Sequence, residues 1–420
     1  MQITILPSAT SGEIKAIASK SVAHRLLICA AFADRPSSIE CNETNDDITA
    51  TVECLCAMGA SIKRVNGSYE IEPIKKINKG ALLPCNESGS TLRFLVPICA
   101  ALGGEFTFDM KGRLPQRPLS PLKELLEDNG ITFENPSPTQ LTVSGQLSGN
   151  YFEIAGDVSS QFITGLLFAL TLTKKSTTLK VTKTLESAPY INITLDALSL
   201  FGANIKRDGN TFNITSTPSL SAPKDLCVEG DWSNAAFPLA LGIIGKGPIK
   251  ISGLSTKSSQ GDKEIVNVLR AFGGSIKEEN GTLTAEPSAL HGIEVDASQI
   301  PDLVPIIATV ATVADGRTTI YNASRLKLKE SDRLQSTTEV LSALGACISQ
   351  TDDGLIIEGK PILYGGTVSS FGDHRIAMSA AVASAVCTDA VTLCKAESTQ
   401  KSYPSFWEDM RTLGLNFQEN

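Results

Sequence analysis

Residues 264–286 read EIVNVLRAFGGSIKEENGTLTAE. The first nine residues combine charged side chains with an apolar stripe at helical spacing, and Gly273 follows them. A glycine at this point suits the left-handed conformation that closes a helix, where a Cβ would be unfavourable. The pair Asn280-Gly281 then stands between two short segments of strand-like sequence, as in a tight hairpin. The stretch therefore predicts a helix that ends at a glycine and leads into a β-hairpin.

This pattern occurs six times along the chain. The marker glycines are Gly59, Gly130, Gly202, Gly273, Gly345 and Gly414, which are 71, 72, 71, 72 and 69 residues apart. Such a period exceeds the roughly 20–50 residues of solenoid repeats and indicates six copies of a larger unit. Hairpin turn pairs stand in four copies, at Asn66-Gly67, Asp208-Gly209, Asn280-Gly281 and Asp353-Gly354. The second copy has Pro136 and Pro138 instead, and we expect a longer loop there.

Each copy also contains a first helix, a short β-branched strand and a second helix before its glycine. The strands are predicted at residue 39 and at 106–108, 179–181, 249–251, 319–320 and 391–393. The first helices, for example 162–172, 235–244, 303–314 and 376–386, are apolar on nearly every face and should be buried. The second helices, such as 264–272 and 334–344, are amphipathic. The pattern predicts an α/β fold with helices in the centre and sheets outside.

Composition is that of an ordinary globular protein. The 420 residues are 42% hydrophobic and 20% charged, with a net charge of -8, which argues against general nucleic-acid binding. The length suggests two or three domains, so the six units are expected to group as three plus three, with a break near Glu229. Residues 1–5 read as a strand and not as a signal peptide. The ten cysteines are expected to be reduced residues of the core, and the lack of metal-ligand spacing argues against zinc.

Residues that differ between the copies indicate where chemistry takes place. The starts of the first helices, about 39 to 43 residues before the glycines, carry Lys20-Ser21, Ser88-Gly89-Ser90, Ser159-Ser160-Gln161, Asp231-Trp232-Ser233, Pro301-Asp302 and Asp373-His374-Arg375. Serine and aspartate are common N-caps, and capping alone is sufficient for Asp231 and Asp373. It does not explain Lys20, Gln161 or Arg375.

A second variable position opens the second helix, about 12 to 16 residues before the glycine. It carries Arg117-Pro118, Ser187 to Tyr190, Lys329-Glu330 with Arg333, and Lys401. Glu330 and Arg333 would also fit an ordinary ion pair on a solvated helix face. The fourth copy has no basic residue at either helix start, and we expect it to contribute least to catalysis.

In a quasi-symmetric fold these helix starts should cluster and form a cationic pocket. Its basic residues would be Lys20, Arg25, Arg93, Arg117, Lys329, Arg333, Arg375 and Lys401. Helix N-termini and arginine forks both favour phosphate and carboxylate groups, so we expect small anionic substrates. Nucleotide-binding glycine motifs are absent from the sequence. Among these cations, Asp302 and Glu330 should be ionised and able to accept a proton.

These residues, in this order from Lys20 to Lys401, resemble the 5-enolpyruvylshikimate-3-phosphate synthase family of enolpyruvyl transferases. The resemblance implies transfer of the enolpyruvyl group of phosphoenolpyruvate to the 5-hydroxyl of shikimate 3-phosphate through a tetrahedral intermediate. It implies no cofactor and no metal. The expected protein is a cytoplasmic monomer of aromatic amino-acid biosynthesis that binds small molecules, and neither nucleic acid nor membranes.

The resemblance also implies a role for each matching residue. Shikimate 3-phosphate would be bound by Lys20, Ser21, Arg25, Ser159, Ser160, Gln161, Ser187, Asp302, Arg325 and Lys329. Phosphoenolpyruvate would be bound by Lys20, Gly89, Arg117, Gln161, Arg333, Arg375 and Lys401. Asp302 would take the hydroxyl proton, Glu330 would deliver a proton to the methylene carbon, and Lys20 or Lys401 would assist the departing phosphate.

For the fold, the resemblance implies two inside-out α/β domains of three βαβαββ units each. The first would span residues 18–229, and the second residues 1–17 with 230–420, with the active site in a cleft between them. We expect this cleft to close on the substrates, which would exclude water from the intermediate.

Two other functions stay open at this point. A UDP-N-acetylglucosamine enolpyruvyl transferase shares the repeat, but its loop usually has a cysteine where this chain has Gly112. A non-catalytic anion-binding protein would keep the arginines without needing both Asp302 and Glu330. The chain also departs from the family pattern at Glu87 and Arg325, where an asparagine is common.

Overall fold

The computed structural model describes residues 1–420 and has the predicted α/β fold. Its helices are α1 (Lys20–Ala31), α2 (Asp46–Met58), α3 (Gly89–Leu102), α4 (Leu122–Asp128), α5 (Ser160–Leu172), α6 (Ala188–Leu200), α7 (Trp232–Ile244), α8 (Ile265–Ala271), α9 (Val304–Ala311), α10 (Arg333–Ala343), α11 (His374–Ala383) and α12 (Phe406–Thr412). Short 3₁₀ turns precede or follow several of them, including Gly261–Glu264, Pro301–Leu303, Ser324–Leu328 and Ala396–Lys401.

Strands supply the rest of the regular structure. They are β1 (Gln2–Leu6), β2 (Gly12–Lys15), β3 (Ser37–Glu40), β4 (Ser61–Val65), β5 (Ser68–Glu72), β6 (Leu82–Asn86), β7 (Gly104–Met110), β8 (Ile131–Ser137), β9 (Gln140–Gly145), β10 (Tyr151–Ala155), β11 (Thr177–Thr182), β12 (Ile205–Asp208), β13 (Thr211–Ile214), β14 (Asp225–Cys227), β15 (Ile249–Ser252), β16 (Ser275–Glu279), β17 (Thr282–Glu286), β18 (Glu294–Asp296), β19 (Arg317–Tyr321), β20 (Cys347–Gln350), β21 (Leu355–Glu358), β22 (Gly366–Ser369), β23 (Val391–Cys394) and β24 (Asn416–Glu419).

The chain divides into two compact units. One, the middle unit, is Lys20–Val228, and the other, the terminal unit, combines Met1–Ser19 with Glu229–Asn420. The middle unit has three four-stranded sheets, with strand orders β14-β3-β5-β4, β6-β7-β9-β8 and β10-β11-β13-β12. In each sheet the first pair is parallel and the other pairs are antiparallel.

The terminal unit repeats this plan. Its sheets have the orders β2-β15-β17-β16, β18-β19-β21-β20 and β22-β23-β1-β24. Strand β1 lies between β23 and β24, where Ile3 is opposite Leu393 on one side and Glu419 on the other. Both ends of the chain therefore complete one sheet, and the six copies predicted from the glycine period are confirmed.

The helices are buried and the sheets cover them. Helices α3, α5, α7, α9 and α11 are buried on almost every face, as their apolar sequences predict. Strands such as β5 and β10 alternate buried and exposed residues, so each sheet has an inner apolar face and an outer polar one. No helix of the chain is both long enough and apolar enough to cross a membrane.

The six marker glycines all have the positive φ that was expected, for example 119° at Gly59 and 90° at Gly414. Three details of the hairpins were wrong. Asp353-Gly354 ends a four-residue loop, 351–354, because Gln350 pairs with Leu355. Asp208 belongs to β12, so that turn consists of Gly209 and Asn210. The second copy has no longer loop, because Ser137 pairs directly with Gln140 and the register shift lies inside the edge strand β8. An edge strand tolerates proline, which lacks an N–H for a ladder bond.

All ten cysteines are free thiols, in agreement with the sequence. Their expected place in the core holds only in part, because Cys227 and Cys347 are exposed.

Candidate functional site

Arg25 joins three helices of the middle unit. Its Nε donates to Thr194 Oγ1 (2.8 Å), its Nη1 to the Ser21 carbonyl (2.6 Å) and its Nη2 to the Tyr190 carbonyl (2.9 Å). The Phe94 ring centroid lies 5.1 Å from its Cζ. Burial lowers the pKa of Arg25 to about 10, so the guanidinium stays charged at neutral pH. The side chain is held in one orientation beside the starts of α1 and α6.

Gln161 connects the starts of α3 and α5. Its Oε1 accepts a hydrogen bond from Arg93 Nη1 (2.7 Å), and its Nε2 donates to Ser90 Oγ (3.0 Å). Arg93 also donates to the Pro118 carbonyl, in the segment that follows Arg117. A glutamine that is a poor N-cap therefore has a specific function here, because it fixes a cation between two helix starts.

Gly89 is the first residue of α3 and lies against Arg117. A Cβ at Gly89 would be 2.7 Å from Arg117 Nη1 and 3.1 Å from its Cζ. Ser88 precedes it as the N-cap and accepts from the Thr91 N–H (3.3 Å). The helix start and a guanidinium thus face the same space, an arrangement that suits an anion.

Lys20 lies at the start of α1 and pairs with Asp47 at the start of α2. The distance between Lys20 Nζ and Asp47 Oδ2 is 2.9 Å. Thr91 Oγ1 lies 3.5 Å from the Asp47 carbonyl oxygen and 2.7 Å from Ser88 Oγ, and its single hydrogen can be donated to either of them. Lys20 is therefore coupled to the same α3 start that carries Gly89.

The predicted serines occupy the starts of α5 and α6. Ser159 is the N-cap of α5 and accepts from the Gln161 N–H (3.3 Å), while Ser160 is buried in the first turn. Ser187 precedes α6 with φ 53° and is buried as well. This left-handed conformation is unusual for serine and marks a specifically built position.

In the terminal unit, Asp302 lies among three cations. Its Oδ1 is 2.8 Å from Arg333 Nη1 and 3.4 Å from Lys329 Nζ. Arg375 donates from Nη1 to the Asp302 carbonyl (3.0 Å), and its Nη2 is 3.4 Å from Asp302 Oδ2. These side chains come from the starts of α9, α10 and α11, which the sequence expected to cluster.

Arg333 is the centre of this network, with a side chain only 2% exposed. Besides Asp302, it pairs with Glu330 (2.8 Å from Nη2) and with Asp373 (2.8 Å from Nε). Asp373 also caps α11, where it accepts from the Arg375 N–H (3.0 Å). Capping was expected to be its whole role, and this interpretation was incomplete. Glu330 does pair with Arg333, within a larger buried network and not on a solvated helix face.

The network determines the protonation states of Asp302 and Arg333. Burial raises the pKa of Asp302, but Arg375, Lys329 and Arg333 outweigh it and hold that pKa well below its usual range. Burial lowers the pKa of Arg333, and the carboxylates of Asp373, Glu330 and Asp302 raise it further than burial lowers it. Asp302 is therefore ionised and Arg333 protonated at neutral pH. An anion that binds to the arginines would compensate their charge and raise the pKa of Asp302.

Two further predicted residues lie in the terminal unit. Lys401 is buried at the end of the 3₁₀ turn Ala396–Lys401, and the carbonyl of the next residue, Ser402, accepts from Asn234 Nδ2 of α7 (3.3 Å). Arg325 lies in the 3₁₀ turn Ser324–Leu328 and donates to the Ser298 carbonyl (2.8 Å).

The sequence reasoning missed Asp47 and Asp262 as partners of the predicted cations. Asp47 stands 12 residues before Gly59, so it occupies the second variable position of its copy and was detectable by its phase. Asp262 is buried beside Ser233, whose hydroxyl donates to it. Serine and aspartate at a helix start usually act as N-caps. The contact of Ser233 and Asp262 with the charged network therefore had no separate signal in the sequence.

Comparison with known proteins identifies the family of this chain. The family model described as EPSP synthase (3-phosphoshikimate 1-carboxyvinyltransferase) matches residues 6–410. The chain belongs to the EPSP synthase family. It is 42% identical to the 3-phosphoshikimate 1-carboxyvinyltransferase of Clostridium kluyveri, over 99% of this chain and 98% of that protein. The protein of the same name from Clostridioides difficile is 39% identical over 99% and 98% of the two chains.

Solved structures of EPSP synthases agree with this membership. The EPSP synthase of Acinetobacter baumannii superposes with a TM-score of 0.83 at 25% identity, over 99% of both chains. The enolpyruvyl transferase NikO of Streptomyces tendae shares the fold, with a TM-score of 0.80 at 20% identity. The chain is thus a transferase on an α/β fold of the EPSP synthase type.

Proposed function

We propose that this chain transfers the enolpyruvyl group of phosphoenolpyruvate to the 5-hydroxyl of shikimate 3-phosphate and releases phosphate. The observation that supports this most directly is the network of Asp302, Lys329, Arg333 and Arg375. It combines an ionised carboxylate with three cations within 3.4 Å of it. Such a site attracts an anionic substrate and keeps a proton acceptor beside it.

The proposed assignment of ligands follows the two sets of helix starts. Shikimate 3-phosphate is bound by Lys20, Ser21, Arg25, Ser159, Ser160, Gln161, Ser187, Asp302, Arg325 and Lys329. Phosphoenolpyruvate is bound by Lys20, Gly89, Arg117, Gln161, Arg333, Arg375 and Lys401. Both units contribute residues to each set, so the proposal includes that the units bind one pair of substrates together.

In the addition step, the 5-hydroxyl oxygen forms a bond to C2 of phosphoenolpyruvate. Asp302 takes the hydroxyl proton, and Glu330, protonated in the complex with both substrates, delivers its proton to the methylene carbon, which becomes a methyl group. Substrate anions on Arg333 and Arg375 assist this step, because they reduce the positive charge that keeps the pKa of Asp302 low.

In the elimination step, the bond from C2 to the phosphate oxygen breaks and the methyl group loses a proton. A carboxylate that donated a proton in the addition is then the base, as microscopic reversal of that transfer requires. The negative charge that develops on the departing phosphate is stabilised by Lys20 or Lys401. The side chains supply all of these proton transfers, and the proposal assigns no cofactor or metal. We further propose that the enzyme acts as a cytoplasmic monomer on free small molecules.

The proposed reaction is tested with purified protein, shikimate 3-phosphate and phosphoenolpyruvate. We expect inorganic phosphate and the enolpyruvyl product in equal amounts, and no phosphate when shikimate 3-phosphate is omitted. Release of phosphate only with UDP-N-acetylglucosamine as the acceptor would assign the chain to the sister reaction. Binding of both substrates without any release would instead indicate an anion-binding protein.

A further inference from the structure

Arg375 is connected to a carboxylate that the catalytic proposal does not use. Its Nη2 donates to Ser233 Oγ (3.0 Å), and the Ser233 hydroxyl in turn donates to Asp262 Oδ2. Ser233 lies in the first turn of α7, and Asp262 lies in the 3₁₀ turn Gly261–Glu264. Both belong to the fourth copy of the repeat, which the sequence expected to contribute least.

This chain of hydrogen bonds has a defined direction. The hydroxyl of Ser233 can accept from a guanidinium while it donates to a carboxylate, and an ionised Asp262 can only accept. On its other side, Arg375 donates to the Asp302 carbonyl (3.0 Å). The guanidinium of Arg375 is therefore held between Asp302 on one side and Asp262, through Ser233, on the other. These contacts fix the orientation of its plane.

Capping does not explain the position of Ser233. The N-cap of α7 is Asp231, whose side chain accepts from the Asn234 N–H (2.8 Å). The helix start is thus satisfied without the Ser233 hydroxyl, which is available for Arg375 and Asp262.

A purely structural role does not explain Asp262 either. It is 3% exposed, and the charged groups that act on it are Asp302, Arg375 and Asp231. Burial, with the nearby Asp302, raises the pKa of the Asp262 carboxyl to about 6. Burying an ionised carboxylate here lowers the free energy of unfolding. If only an acceptor for the Ser233 hydroxyl were needed, asparagine would supply it without this penalty.

We propose that Asp262 is a positioning residue that acts through Ser233 to hold the Arg375 guanidinium in the orientation that binds the carboxylate of phosphoenolpyruvate. This inference rests on the proposed function, in which Arg375 contacts that substrate. It assigns the fourth copy a part in catalysis without a basic residue of its own.

The test compares Asp262→Asn and Ser233→Ala with the wild-type enzyme by steady-state release of phosphate. Asparagine keeps the volume and an acceptor oxygen but removes the charge. We expect each variant to raise KM for phosphoenolpyruvate about tenfold, the usual effect of losing one hydrogen bond to a charged group. KM for shikimate 3-phosphate should change much less. The double variant should resemble the single ones, because Asp262→Asn removes the charge at the end of the chain and Ser233→Ala removes the link to it.

A control and a second measurement separate positioning from folding. Asp409→Asn alters another partly buried carboxylate of the terminal unit, which accepts from Tyr403 (2.7 Å) and Ser405 (3.3 Å). It should leave both KM values unchanged. Asp262→Asn should have a Tm at pH 8 equal to or above that of the wild type, since it removes an unfavourable buried charge.

Each other outcome overturns the inference. A lower KM for phosphoenolpyruvate in Asp262→Asn would show that the carboxylate merely repels the substrate. An unchanged KM in Ser233→Ala would show that the link does not orient Arg375, even if Asp262→Asn did not fold. A lower Tm with equal rises in both KM values would indicate a structural role. A wild-type protein that releases no phosphate would instead refute the proposed function.

Discussion

A methyl group at Gly89 should impair binding of phosphoenolpyruvate without harming the fold. In Gly89→Ala the new Cβ would lie 2.7 Å from Arg117 Nη1. An ordinary contact is about 3.5 Å, so the guanidinium must move by roughly 0.8 Å. The far end of an arginine moves easily, and alanine is favourable in a helix, so we expect an unchanged Tm.

The displacement matters because a guanidinium binds an anion through directed hydrogen bonds. Loss of one charge-assisted bond corresponds to about 1.5–3 kcal/mol, which is roughly 10- to 100-fold in affinity. The methyl group also covers the start of α3, where backbone N–H groups face the same anion. Both effects act on the ligand of Arg117, so KM for phosphoenolpyruvate should rise and KM for shikimate 3-phosphate should stay nearly constant.

The assay is phosphate release at varied concentrations of each substrate, with Tm measured on the same samples. Arg117→Lys is the matched variant, since it keeps the charge but loses the fork. It should produce the same selective rise in KM, and the double variant should show less than the sum of the two effects. Equal rises in both KM values, or a Gly89→Ala enzyme with an unchanged KM for phosphoenolpyruvate, would refute the reasoning.

Three other substitutions test the network around Arg333 and a buried histidine. Asp302→Ala should still bind shikimate 3-phosphate in calorimetry but turn over about 10²- to 10⁴-fold more slowly, and unchanged turnover would exclude it as the base. Arg333→Met should destabilise the protein by about 3–5 kcal/mol in urea unfolding, because it leaves buried carboxylates unpaired, whereas an unaltered midpoint would contradict the network. Burial lowers the pKa of His24 to about 3, so stability present above pH 6.5 is lost as the pH falls toward 3. The loss attributable to His24 should be about 3 kcal/mol at pH 4.5, and His24→Asn should abolish it.

The repeat and its elements could be predicted because they follow from local sterics. A glycine such as Gly345 is needed wherever a helix closes with positive φ, so its period reveals the copies without any tertiary information. The burial of the apolar helices could also be predicted, since a helix without a polar face has to be buried. The hairpin at Pro136 was predicted wrongly because proline signals a loop in general, yet an edge strand accommodates it.

The partners inside the site could not be predicted in the same way, because they depend on which helix starts meet. Asp373 shows the difficulty: one carboxylate caps α11 and pairs with Arg333, and only the first role has a local signature. The cations were identified because lysine and arginine are poor caps and need another explanation.

In the fourth copy, residues that belong to no recognised motif also contact the site. A repeat protein presents the same backbone N–H groups at every helix start, so small polar residues are expected at all of them for capping. When the cap is already supplied, as Asp231 supplies it for α7, an adjacent hydroxyl is free to bind elsewhere. Ser233 uses this freedom to join Arg375 to Asp262. In a symmetric scaffold, the polar residues beyond those required for capping are therefore the ones to search for a function, including in copies that carry no charge at the helix start.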